Sequence, residues 1–185
     1  MENKDKNFVF NSVNLKKSKE IINRYPATRQ KSAILPLLDL AQRQNGGWLS
    51  VDAIEYVANM INLPHIKALE VASFYTMFNL KPVGKFHIQV CGTTPCWLRG
   101  AGDIISKCSS KLGISDKETT QDGMFTLTEV ECLGACVNAP LVQINDDYYE
   151  DLTPEIMEEI IDQIIAGKKI KTGSQIGRKG SKALK

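Results

Sequence analysis

No apolar run in this 185-residue chain approaches the roughly 20 residues that a membrane-spanning helix requires, so a transmembrane protein is excluded. The first residues, Met1-Glu2-Asn3-Lys4-Asp5-Lys6, lack the apolar stretch of a secretory signal and carry acids where a mitochondrial presequence is Arg-rich. A bacterial cytoplasmic protein is the default expectation. No G-x-G-x-x-G follows a strand, so the chain carries no nicotinamide or flavin fingerprint of its own. C-x-x-C is also missing, which disfavours a dithiol redox site. Only two histidines occur, His65 and His87, and neither has a companion at ligand spacing. What is present is a globular composition, 43% apolar and 24% charged, enough for one sizeable core or two small packed units.

The net charge of +2 conceals three blocks. Residues 1–115 hold 15 Lys/Arg against 8 Asp/Glu, residues 116–162 hold one Lys against 13 acids, and residues 163–185 hold seven Lys/Arg and no acid. The acidic middle and basic end read either as solvated faces of opposite sign or as a tail that docks on a partner.

Residues 14 to about 78 read as helical. Ser50 is an N-cap candidate, Asp52 places an acid in the first turn, and Ile54, Val57, Ala58 and Ile61 recur at helical spacing. Ser32 to Gln44 carries a broad apolar face interrupted by Pro36, which predicts a helix that bends or starts there. Pro64 opens another, with Ile66, Leu69 and Ala72 on one side, running into Ser73-Phe74-Tyr75, an aromatic pair that reads as core, with a partner contact as the alternative. A weaker helix covers Leu15 to Asn23. At Lys81-Pro82-Val83-Gly84 the character changes. Lys85 to Val90 alternates as a strand that delivers Cys91, a helix follows at about 99–112, and Met124 to Val130 forms a second strand ending before Cys132. Leu141–Ile144 and Asp147–Tyr149 make a hairpin around Asn145-Asp146. Thr153 caps the last helix, Pro154 opens it, Gly167 ends it, and Ile156, Met157, Ile160, Ile161, Ile164 and Ile165 form its stripe. The predicted fold class is α+β: a helical bundle over residues 1–80, a small α/β domain over 81–167, and a basic extended tail over 168–185.

Five cysteines without an export signal are read as thiols, ligands or redox groups before disulfides. Cys91 and Cys96 form C-x4-C, Cys132 and Cys136 form C-x3-C, and Cys108 lies alone in a helix, where a small buried hydrophobe is the common role. Each pair follows a strand. If those strands are neighbours, both loops end at one sheet edge and all four sulfurs surround one centre. An iron–sulfur cluster, a structural zinc ion and free or redox thiols all remain open on this chemistry.

The residues so assembled resemble the thioredoxin-like [2Fe–2S] ferredoxin subunits of respiratory complex I. The resemblance rests on Leu40 to Gly46, on Val71 to Phe78, on Val90-Cys91-Gly92-Thr93-Thr94-Pro95-Cys96, on Glu131-Cys132-Leu133-Gly134-Ala135-Cys136-Val137-Asn138-Ala139-Pro140, and on Tyr149 to Pro154. It implies a thioredoxin-like domain after the bundle and one [2Fe–2S] cluster, with Cys91, Cys96, Cys132 and Cys136 as its ligands. It implies membership of an NADH:quinone oxidoreductase and tight association with the subunit that binds NADH and FMN, beside other peripheral-arm subunits. The site would then be peripheral on the cytoplasmic side of the inner membrane, with no direct membrane insertion and no nucleic acid. Related subunits of soluble NAD-linked hydrogenases and formate dehydrogenases share these motifs, and a zinc-stabilised interaction module is the alternative from another class. Glu129 and Glu131 flank Cys132, so the cluster potential is expected to be low. The tail lacks aromatics to stack bases. It is therefore expected to lie along the flavoprotein, and its deletion to weaken assembly while leaving the cluster in place.

Overall fold

Capping and periodicity place the helices of the N-terminal half as the sequence predicts, with one exception in which face is buried. In the computed structural model, which describes residues 8–180, this half holds α1 (Ser12–Asn23), α2 (Ile34–Gln44), α3 (Val51–Met60) and α4 (His65–Phe74). Asn11 caps α1 by accepting the Asn14 N–H at 2.8 Å, and Ser50 caps α3 by accepting that of Ala53 at 3.2 Å. A 3-10 stretch, Ala27–Ala33, leads into α2. Pro36 thus falls in the first turn of α2, where its missing N–H breaks no helical hydrogen bond. Leu37, Leu38, Ala41, Ile54, Val57 and Ala58 form the centre of the core. Gln42 and Gln44, both inside one of the resemblance motifs, staple distant segments: Gln42 accepts the Asn79 N–H at 2.7 Å, and Gln44 donates to the Val9 carbonyl at 2.8 Å.

The exception is α4. Its buried side chains are Ala68 and Ala72, whereas Ile66 and Leu69 point to solvent. Two alanines one turn apart let α4 approach its neighbours closely, and this displaces the larger residues outward. Phe74, expected in the core, is 77% exposed, with Tyr75 edge-on at 5.2 Å.

The chain divides into two compact units between Val83 and Gly84. The second contains β1 (Phe86–Cys91), α5 (Thr94–Leu98), α6 (Ala101–Leu112), β2 (Phe125–Val130), β3 (Leu141–Ile144), β4 (Asp147–Glu150), α7 (Pro154–Ile165) and a two-residue β5 (Gly173–Ser174). The sheet order is β2-β1-β3-β4-β5. β1 runs parallel to β2, from Phe86 opposite Phe125 to Cys91 opposite Val130, and antiparallel to β3. A parallel neighbour requires a helical crossover, which α5 and α6 supply. The helix predicted at about 99–112 is α6, and the short α5 before it is not predicted; Gly100 adopts the left-handed conformation (φ 96°) and separates the two. Met157, Ile160, Ile161 and Ile164 of α7 join Ile88, Val90, Ile104 and Cys108 in one core, while Ile165 stands outside. Thr153 caps α7 by accepting the Ile156 N–H at 3.3 Å.

The basic end, expected as an extended tail, contributes a short strand to the sheet. Residues 173 and 174 add β5 to the sheet, parallel to β4, with Gly173 opposite Tyr149 and Ser174 opposite Glu150. A strand edge left by β4 offers unpaired backbone groups, and a Gly-Ser pair is small enough to occupy them. Residues 181–185 of the tail lie outside the described residues. Among the described residues no helix is long and apolar enough to cross a membrane.

Candidate metal centre

Parallel pairing of β1 and β2 puts their C-terminal ends at one edge of the sheet. Cys91 is the last residue of β1, and Cys132 stands two residues beyond β2. Cys96 lies in α5 and Cys136 opens a 3-10 turn, Cys136–Asn138. The four sulfurs converge: Cys132 and Cys136 are 3.5 Å apart, Cys91 and Cys96 are hydrogen-bonded to each other, and Cys136 interacts electrostatically with both Cys91 and Cys132. Thr93 ties the halves together, with its hydroxyl 3.2 Å from the Cys91 sulfur and a further hydrogen bond to Cys132. Cys91 and Cys96 are buried, and Cys132 and Cys136 face solvent.

Within each pair the two thiols are driven apart in acidity. Burial opposes the Cys91 thiolate, but hydrogen bonds from the Thr93 side chain, the Leu133 and Thr93 backbone and Cys96 outweigh it and hold the thiol below its ordinary range. Burial and the hydrogen bond to Cys91 push Cys96 up to about 12. On the exposed side the Gly134 N–H, with Cys136 and Thr93, holds Cys132 low, while the hydrogen bond to Cys132 and partial desolvation raise Cys136. Gly134 has φ 84°, a conformation that a Cβ would strain and that turns its N–H to the sulfur.

This donor set fits a two-iron cluster. Two thiolates on one tetrahedral metal with bonds of about 2.3 Å stand about 3.8 Å apart, close to the Cys132–Cys136 separation of 3.5 Å. The sulfurs come as two pairs, Cys91 with Cys96 and Cys132 with Cys136, as two irons require. Surrounding contacts fix the loops. The Tyr148 hydroxyl donates to the Leu133 carbonyl at 2.7 Å, and the Asp151 N–H donates to the Asn138 carbonyl at 2.8 Å. The Ala139–Pro140 peptide is cis.

Cys108 is fully buried in the core, and burial pushes its thiol up to about 12; it is an inert packing residue, as its helical position predicts. Two features have little or no signature in the sequence. Trp97, Leu98 and Val137, each adjacent to or within two residues of a site cysteine, are large, apolar and exposed. Arg178 reaches the Cys136–Asn138 turn from the basic end. The only sequence signal for the first is an apolar residue next to a cysteine in a polar loop, and the second has none.

The thioredoxin-like [2Fe-2S] ferredoxin family matches residues 18–165. The E chain of the NADH-quinone oxidoreductase of Rickettsia bellii is 68% identical over 164 residues, covering 89% of this chain and 98% of the relative. The mitochondrial NADH dehydrogenase [ubiquinone] flavoprotein 2 of Dictyostelium discoideum is 54% identical, covering 94% of this chain and 70% of the relative. A solved NAD+-reducing [NiFe]-hydrogenase shares the fold, with a TM-score of 0.62 at 22% identity over 71% of this chain and 22% of that one. With sulfurs paired at the ends of two parallel strands and a family match over most of its length, the chain belongs to the thioredoxin-like [2Fe-2S] ferredoxins.

Proposed function

We propose that Cys91, Cys96, Cys132 and Cys136 hold one [2Fe–2S] cluster, and that the chain is the electron-transfer subunit of an NADH:quinone oxidoreductase. The observation that carries this reading is the meeting of the two cysteine pairs at the common end of β1 and β2, in a chain that spans nearly the whole of its rickettsial NADH-quinone oxidoreductase relative. When bound, the cluster takes up and returns one electron without any bond being made to protein. The chain's own residues set the conditions for this. Thr93 and the Gly134 N–H stabilise negative charge on the sulfurs, and the buried Cys91–Cys96 side keeps water out. Glu129, which lies against Gly92, and Glu131 oppose added charge and lower the potential. NADH and FMN belong to a partner subunit. The exposed apolar rim of Trp97, Leu98 and Val137 is the surface that this flavoprotein covers, excluding water beside the cluster. In a bacterium the assembly is peripheral on the cytoplasmic side of the inner membrane.

The test is visible absorption and electron paramagnetic resonance of the full chain after iron–sulfur reconstitution and dithionite reduction. A [2Fe–2S] signal is expected, lost in each single Cys→Ala variant at 91, 96, 132 and 136 and kept in Cys108→Ala. A colourless protein with one stoichiometric zinc overturns the reading. Isolation of the native complex is expected to recover a flavin-bearing, NADH-binding subunit together with quinone reductase activity, and hydrogenase or formate dehydrogenase subunits in its place would reassign the assembly.

A further inference from the structure

The turn that carries Cys136 is closed by a group from 40 residues away. Asp151, at the corner after β4, has a side chain only 3% exposed and φ 56°. Its two oxygens are met from beyond α7: the Ser174 hydroxyl donates to one at 2.7 Å, and Arg178 Nε stands 3.4 Å from the other. The same guanidinium donates to Asn138 Oδ1 from Nε at 3.2 Å and from a terminal nitrogen at 2.9 Å, and also to the Val137 carbonyl. Asn138 is itself buried and donates from Nδ2 to Glu150 at 2.6 Å. The segment is anchored by backbone as well: Gln175 N–H donates to the Glu150 carbonyl at 3.0 Å, and Arg178 N–H donates to the Ser174 hydroxyl at 2.9 Å.

We propose that Gly173–Arg178 is an intramolecular strap and that Arg178 is a positioning residue for Cys136, and through it for the cluster; this rests on the ligand reading above. Cys136 is exposed and sits in a single 3-10 turn, which has little packing of its own to fix the direction of its sulfur. Loss of an outer-shell partner that orients a metal ligand typically costs about 10- to 100-fold in metal affinity or activity. A buried carboxylate needs a cation, and Arg178 supplies it while its other edge holds Val137 and Asn138. Lysine, a point charge, can meet Asp151 but cannot span all three groups. The strap also places a positive charge in the most acidic stretch of the chain, beside a centre that is anionic once its thiolates are counted, so it favours reduction.

The experiment uses the full-length chain with its cluster reconstituted. In Arg178→Gln, loss of the cluster to a chelator is expected to be about 10- to 100-fold faster, with an altered paramagnetic spectrum and a lower reduction potential. Arg178→Lys is expected to recover the potential but not the chelator resistance, and Lys179→Gln to match the wild type in all three. Ser174→Ala, which leaves the guanidinium in place, is expected to move chelation in the same direction by less, and serves if Arg178→Gln does not fold. Truncation after residue 171 is expected to strip the cluster, the opposite of what a partner-docking tail predicts. If Cys136→Ala keeps its cluster, the ligand reading fails. If Cys136→Ala loses it while Arg178→Gln and the truncation show wild-type chelation, spectrum and potential, the strap fails.

Discussion

His87 is one of two lone histidines in the sequence, and its position on β1 decides what it does. It is 8% exposed, with Nε2 2.9 Å from the Thr128 hydroxyl on the neighbouring strand, and burial lowers its pKa to about 4. In the unfolded chain the ring titrates near about 6.5. Between those values the unfolded state binds more protons, so stability is complete above pH 6.5 and falls as pH drops towards 4. The expected loss is on the order of 2–3 kcal/mol across that window. His87→Gln, which keeps a polar group for Thr128, is expected to flatten it. Urea unfolding of the cluster-free full chain at pH 7 and pH 4.5 measures the difference, and parallel profiles for the two proteins would remove His87 as the cause. Cysteine identity and spacing are legible residue by residue. The opposite acidities within each pair are not, because they depend on Thr93, Leu133 and Gly134 lying against particular sulfurs.

At the level of elements, alternation locates β1 and β2 and the apolar stripe locates α7, since each is long enough for its period to show. α5 is five residues long, too short for a helical period, and so nothing in the sequence marks Cys96 as helical. The buried face of α4 is hidden for a different reason: which side of a helix is buried follows from its neighbours, and two alanines are the better fit. Gly84, which the sequence marks only as linker, is a further case. A Cβ there would stand 2.7–3.0 Å from backbone atoms of Phe125 and Met124, and its N–H donates to the Thr126 hydroxyl at 2.6 Å. Gly84→Ala is expected to push β1 away from β2 and lower stability by about 1–3 kcal/mol. Because β1 carries Cys91, iron content after reconstitution should fall with the melting temperature. An unchanged melt would show that the strand ends can separate freely.

Across the whole molecule, the helical unit and the sheet unit have cores that share no residue, and all four site sulfurs belong to the second. Leu37, fully buried in the helical core, is expected to cost about 2–5 kcal/mol when replaced by Ala, while the paramagnetic spectrum of the cluster stays as in the wild type. A shifted spectrum in Leu37→Ala would show that the helical core shapes the metal centre. The charge blocks also take on a different meaning at this scale. The acidic stretch and the basic end are partly each other's partners, through Arg178 and Asp151, and Lys111 of α6 pairs with Glu158 and Asp162 of α7. The sequence by itself determined the longer helices and strands, the two cysteine pairs and the resemblance they carry, because capping, periodicity and ligand spacing are local in the chain, whereas α5 and β5 are too short to show a period. Only the tertiary structure decided that α4 turns its large apolar residues outward, that the sulfurs meet at one sheet edge with unequal burial, and that Arg178 of the basic tail reaches the Cys136 turn. Each of these is a contact between segments distant in sequence, fixed by strand pairing and packing rather than by any local preference.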